Sequence, residues 1–275
     1  MAAHKADRLA WAFFSGYQGA IQAAFPNLAE AGEVVAFCAN ETGRKVTEIT
    51  TKVDHRSGIP HLHGQKSWAL SGVENLALLV LARRSDGPQK GAGSLVMVKL
   101  PSSSFGVSWG VARSQAVVPE LSHSEVRFDS VRLDTAQLVP GDGYSEFAKP
   151  FRVLEDVFVS GCTLAYLLAE AQSGKWATNW CQRCIAAIAM LQVCTRLDPK
   201  DIHTHILVSG SLSFASNVIQ ESEGHWQTEQ GVAHHRWLRD RQILLQGKEA
   251  RRMRAVGSWE RLQKEADSIA LRQGI

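Results

Sequence analysis

The chain has 275 residues, enough for one large domain or two modest ones, each able to bury a core. Hydrophobic residues make up 45% and charged residues 21%, a globular composition, and a formal charge of +3 is too near neutral to point to a polyanion, so nucleic acid is not an expected partner. No apolar run approaches the about 20 residues of a membrane span, and the start MAAHKADRLAWAFF lacks a secretory pattern, so a cytoplasmic protein with no membrane association is expected.

Residues 7–25 carry Leu9, Phe13, Tyr17, Ile21 and Phe25 every four positions, which predicts an amphipathic helix stopped by Pro26. Gly16 and Gly19 weaken that helix on its own, so it is expected to depend on packing. From Glu33 to about Pro140 the period becomes strand-like. VVAFCA, VTEITTKV, IPHLHGQKSWAL, ENLALLVLA, GSLVMVKL, GVSWGV and SEVRFDSVRL read as successive strands, with a turn at Arg56-Ser57-Gly58 and a loop over 85–93. Short strands between Gly, Ser, Pro and Asp clusters predict an antiparallel barrel or sandwich.

At Gly141-Asp142-Gly143 the pattern changes again. Leu154, Val157, Phe158, Gly161, Leu164, Ala165 and Leu168 mark the buried face of a helix. A second helix is expected over 176–196, and Asp198-Pro199 opens a third that runs to about 220. ESEGHWQTEQG reads as a loop before a basic, helix-rich remainder. The fold class is therefore α+β, an antiparallel β-barrel or sandwich followed by a C-terminal helical bundle.

Five cysteines in no framework spacing argue against a disulfide scaffold. Cys181-x-x-Cys184 shares a helical stripe with Ile188 and Leu191, so its thiols read as small core residues. His61-Leu62-His63, His203-x-His205 and His234-His235 lack carboxylate or cysteine partners at matching spacing, and no metal site is predicted. The stretch RWLRDRQILLQGKEARRMRA reads as a solvated helix face with basic residues near its C-terminus.

Four short motifs in order resemble the acyl-CoA dehydrogenase family. Val126-Arg127-Phe128-Asp129-Ser130-Val131-Arg132-Leu133, followed by Gln137-Leu138-Val139-Pro140-Gly141, resembles the strand F-D-x-V-R-V-P and its glycine. Gly64-Gln65-Lys66-Ser67-Trp68-Ala69-Leu70-Ser71-Gly72 resembles G-x-K-x-W-I-T-N-G, and GSLVMVKLPSSSFGVSW resembles the segment between them. Phe37-Cys38-Ala39-Asn40-Glu41-Thr42-Gly43 stands where the family has its flavin loop, T-E-P-G-x-G-S-D. The resemblance implies a division into 1–32, a leading helix left from an N-terminal α-domain, 33–143, the β-domain, and 144–275, the helical domain.

The same resemblance implies FAD and an acyl-CoA or other acyl thioester, oxidised at a CH–CH group by the chain alone or as a subunit. It implies a homo-oligomer, or a hetero-oligomer with a related subunit. Trp68 would lie against the flavin ring, the alternative being a tryptophan of the β-core. Asn40, Glu41, Leu70 and Ser71 would complete the cofactor contacts, Leu70 replacing the family's threonine and Asn40 replacing the flavin-loop threonine. Leu154-Glu155-Asp156-Val157-Phe158-Val159-Ser160-Gly161 resembles the helix that carries a catalytic glutamate in one branch, so Glu155 would be the base. The alternative for Glu155 and Asp156 is a favourable place near a helix N-terminus. Asp156 stands where the family has arginine, so two adjacent carboxylates would perturb each other. The R-x-x-F-G and Q-x-x-G-G-x-G segments have no counterpart, which keeps open a flavin-free structural or ligand-binding role on the same fold.

Overall fold

The computed structural model describes all residues except 1, 2, 31, 57, 89, 90, 92, 114, 227–230, 274 and 275. It divides into two compact units. One joins residues 1–20, 116–118 and 153–275, and the other joins 21–115 and 119–152.

The second unit is built on one sheet. Its strands are β1 Val35–Cys38, β2 Lys52–Arg56, β3 Ile59–Leu70, β4 Ala77–Arg84, β5 Leu95–Pro101, β6 Val107–Trp109, β7 His123–Arg132 and β8 Leu138–Val139. Their order is β6-β7-β3-β2-β4-β5-β8, with β1 also paired to β4. The sheet is mixed rather than purely antiparallel, because β1 and β2 both run parallel to β4. The connection from β2 to β4 passes through β3, which turns back beside β2, and this returns the chain in β2's direction. VTEITTKV does not form one strand. Val46–Glu48 is a 3₁₀ turn, and pairing begins at Lys52. Ala77–Ala82 of β4 and Leu95–Val98 of β5 are buried at every position, which explains apolar runs without alternation. Phe25, Phe37, Phe147 and Phe151 close one side of this core, with Phe37 and Phe151 edge to face at 4.8 Å. The turn expected at 56–58 includes Ser57, and the loop expected over 85–93 includes residues 89, 90 and 92, which lie outside the described residues.

The other unit is helical: α1 Leu9–Ala24 up to Ala20, α2 Lys149–Ser173 from Val153, α3 Thr178–Cys194, α4 Ile202–Trp226, α5 Val232–Asp240 and α6 Lys248–Gln273. The glycines of α1 are explained by a close approach to α2, since a Cβ on Gly16 would lie 2.7 Å from the Val159 Cα. Helix α4 continues to Trp226, where a loop was expected from Glu221; the rest of that expected loop, 227–230, lies outside the described residues. The extension has a physical cause in the burial of Trp226, whose ring meets Trp176 at 5.1 Å and Trp237 at 6.0 Å. Trp180 stands edge-on to Trp176 at 4.9 Å, and its indole N–H donates to the Val218 carbonyl at 3.0 Å.

Among the described residues, no helix is long and apolar enough to cross a membrane. Cys184 is buried and its thiol donates to the Leu164 carbonyl at 3.4 Å. Burial pushes that thiol up to about 12, so it is inert as a nucleophile near neutral pH. The basic remainder is largely paired within the unit: Arg241 with Glu223, Arg236 with Asp7, Arg252 with Glu249, and Arg251 and Arg254 with Asp156.

Candidate functional site

Strand β3 carries the G-x-K-x-W motif, and two shifts in its register against β7 decide where the side chains go. The first falls between Leu62 and Gly64. Gly64 has φ +128°, and a Cβ there would sit 2.6 Å from the Thr51 Cα, so any side chain would strain the backbone and push Thr51. The second falls between Lys66 and Ala69. In a regular strand Lys66 and Trp68 would share a face. Here Lys66 is fully buried and Trp68 is 49% exposed. The bulge turns the indole outward, at the cost of a left-handed backbone at Trp68, φ +63°. Trp68 is therefore not a β-core tryptophan.

Above the indole lies Arg113, its guanidinium carbon 4.4 Å from the ring centroid. The Arg113 amide donates to the His123 carbonyl at 2.9 Å, and its guanidinium donates to Glu125 at 3.3 Å. Burial lowers the pKa of His123 against a raising contact with the Leu121 carbonyl, which favours the neutral ring.

The stretch aligned with the flavin loop is fastened to β3 by a buried ion pair. Lys66 Nζ lies 3.0 Å from Glu41 Oε1, which also accepts from the Thr51 amide at 2.9 Å. Glu41 Oε2 accepts from the Thr50 amide at 2.7 Å and from the Thr50 hydroxyl at 2.9 Å. Burial alone raises the Glu41 pKa, but the Lys66 charge and these donors outweigh it and hold the carboxyl at about 2. Both Glu41 oxygens are thus engaged inside the unit. Leu70 is buried, and the Ser71 hydroxyl meets Ser124 at 2.9 Å and Ser122 at 3.2 Å. The exposed Asn40 accepts from Arg152 at 3.1 Å. Of the five residues read as cofactor contacts, Trp68 and Asn40 present surface and the other three are packed into the unit.

Glu155 lies in the helical unit, half-buried on α2. Its neighbour Asp156 is held by Arg251 at 3.0 Å and by Arg254, both on α6. Two guanidiniums thereby neutralise the second carboxylate of the Glu155-Asp156 pair. Arg239 and Asp240 also have a defined place. Asp240 is fully buried, receives Arg239 at 2.7 Å, and accepts the Val118 amide at 2.8 Å.

Among the described residues, no three His, Cys, Asp or Glu side chains gather as a metal site. His61 Nδ1 lies 3.0 Å from the Ile59 carbonyl and His63 Nε2 lies 3.2 Å from Asp54. Sequence reasoning missed Arg113 and Glu125. Arg113 falls in the irregular stretch after β6, where an isolated bridge to His123 holds it, and Glu125 lies on β7 opposite the bulge of β3.

These features define a class: the chain has an acyl-CoA dehydrogenase-like fold. Among solved structures it is similar to FMN-bound TdsC from Paenibacillus sp. A11-2, at 16% identity and TM-score 0.65, over 91% of this chain and 79% of that one. Glutaryl-CoA dehydrogenase from Mycobacterium smegmatis is similar at 13% identity and TM-score 0.64, over 90% and 74%. Butyryl-CoA dehydrogenase from Megasphaera elsdenii is similar at 14% and 0.63, over 82% and 68%. No protein-family model matches the sequence, and no curated protein matches it.

Proposed function

We propose that the chain is an FAD-dependent oxidoreductase of the acyl-CoA dehydrogenase type, acting on the CH–CH group of an acyl thioester. The observation that carries this reading is Trp68, held half-exposed by a bulge in β3. A flat, electron-poor ring fits a half-exposed indole, where stacking supplies dispersion contact and excludes water. Structural neighbours named for butyryl-CoA, glutaryl-CoA and FMN support the same reading.

On this reading bound flavin supplies the hydride acceptor. Trp68 seats and orients the ring, and Asn40 is the exposed one of the two flavin-loop residues read as cofactor contacts. Lys66 and Glu41 act indirectly, fixing that loop to β3. Leu70 and Ser71 contribute shape and main chain rather than side-chain donors. Glu155 removes the proton from the carbon next to the thioester, while both oxygens of Asp156 are engaged by Arg251 and Arg254. Partners are an acyl thioester and a second subunit, either a copy of this chain or a relative.

Titration of the purified protein with FAD and with FMN, followed by the visible absorbance of bound flavin, tests the reading. Glu155→Gln is expected to cut turnover with an acyl-CoA by about 10²–10⁴-fold while leaving flavin uptake unchanged, since the amide keeps the shape but takes no proton. Trp68→Ala is expected to loosen the flavin. Absence of uptake of either flavin overturns the enzyme reading in favour of a flavin-free member of the fold.

A further inference from the structure

Trp68 already carries a partner on its face. The Arg113 guanidinium stands 4.4 Å from the ring centroid, anchored at the main chain by His123 and at the side chain by Glu125. Glu125 is itself shared with Arg127, at 3.6 Å, so it does not depend on Arg113 to neutralise its charge. Guanidinium over indole is a favourable pairing, because the planar cation meets the negative face of the ring. The strained backbone at Trp68 therefore presents an aromatic face that one of the chain's own side chains covers.

We propose that Arg113 is an affinity-setting cover on the Trp68 face, which a flat ligand ring must displace before it stacks there. This rests on the flavin reading of Trp68. Two properties let the cover move. Arg113 is tethered by one long side chain, and its carboxylate partner is only partly buried, so the pairing is weak enough to exchange. Glu125 retains Arg127 once Arg113 leaves, so displacement strands no buried charge. The consequence is a site whose affinity for flavin is lower than its aromatic surface alone would give, and which selects ligands able to compete with a guanidinium.

The test compares wild type with Arg113→Ala and Glu125→Gln by FMN and FAD titration, and by acrylamide quenching of the Trp68 component, isolated as the difference from matched Trp68→Phe proteins. Arg113→Ala is expected to raise Trp68 quenching and to tighten flavin binding about two- to fivefold, the factor that corresponds to one exposed cation–π contact. Glu125→Gln, which keeps Arg113 but frees it, is expected to shift both readouts the same way by less. Unchanged quenching in Arg113→Ala overturns the cover. Higher quenching with equal or weaker flavin binding overturns the competition, leaving the flavin reading standing and making Arg113 a ligand contact. If neither wild type nor Arg113→Ala takes up flavin, the flavin reading falls and this proposal falls with it.

Discussion

Lys66 shows how much one buried side chain in this molecule depends on its ion-pair partner. Its ammonium is buried, and burial lowers its pKa against the raising effect of Glu41. Buried together, the two charges stabilise each other, with the Thr50 and Thr51 donors adding to the support of Glu41. Lys66→Met leaves the Glu41 carboxylate buried beside Thr50 and Thr51 without its buried cation, and is expected to cost about 3–5 kcal/mol in urea denaturation. The double variant Lys66→Met/Glu41→Leu removes both charges and is expected to regain most of that loss; a double variant as unstable as the single one would refute the account. The sequence made Lys66 visible as a letter of a motif, but not as a buried ion. A lysine in a strand ordinarily marks a solvated face, and only the fold brings Glu41, 25 residues away, within reach.

At the scale of the element, β3 explains why the motif was readable and its geometry was not. Alternation located the strand over Ile59–Leu70, yet alternation alone places Lys66 and Trp68 on one face. The two register shifts of β3 leave no mark in the hydrophobic pattern except Gly64 at the first, whose φ of +128° and close approach to Thr51 disfavour a side chain. Gly64→Ala is expected to destabilise the fold by about 1–3 kcal/mol, because both the backbone and the space at Thr51 must give. The check is the urea midpoint, and a wild-type value would show that the first shift is not fixed by Gly64. The same limit applied to α4, whose polar end at Glu221–Gly224 read as a loop until the burial of Trp226 against Trp176 and Trp237 carried the helix through it. Tertiary packing overrode a local polar signal there.

Across the whole molecule, the order helix, strands, helices was legible because period changes survive divergence, and the fold persists at 13–16% identity to its structural neighbours. What the sequence did not show is how unevenly charge is built into the two units. In the β unit Glu41 is held at about 2, hydrogen bonds from Ser145, Gly93 and Tyr144 lower the Asp142 pKa against the raising effect of burial, and burial lowers the His123 pKa. The lowered carboxylates of the helical unit, Asp7, Asp201 and Glu249, sit at the surface, where screening leaves them little weight. The sign follows from proton uptake on unfolding. A carboxylate with a depressed folded pKa stabilises the fold above its unfolded value and loses that contribution as pH falls toward the folded value. For Glu41 this window runs from about 4.5 down to about 2. A histidine kept neutral by burial adds a loss that begins below its ordinary value of 6.5, because the unfolded ring takes up a proton that the folded ring refuses. All three contributions fall on the β unit. Stepwise acidification followed by hydrogen exchange of proteolytic peptides is therefore expected to show peptides from 33–56 and 119–148 losing protection at a higher pH than peptides of α3 and α4. Glu41→Gln, which removes the largest of these carboxylate shifts, is expected to flatten the pH dependence of the β-unit peptides below about pH 4.5 while lowering their stability at neutral pH. Simultaneous loss in both units, or earlier loss in the helices, would mean that charge burial in the β unit does not set the acid limit of the chain.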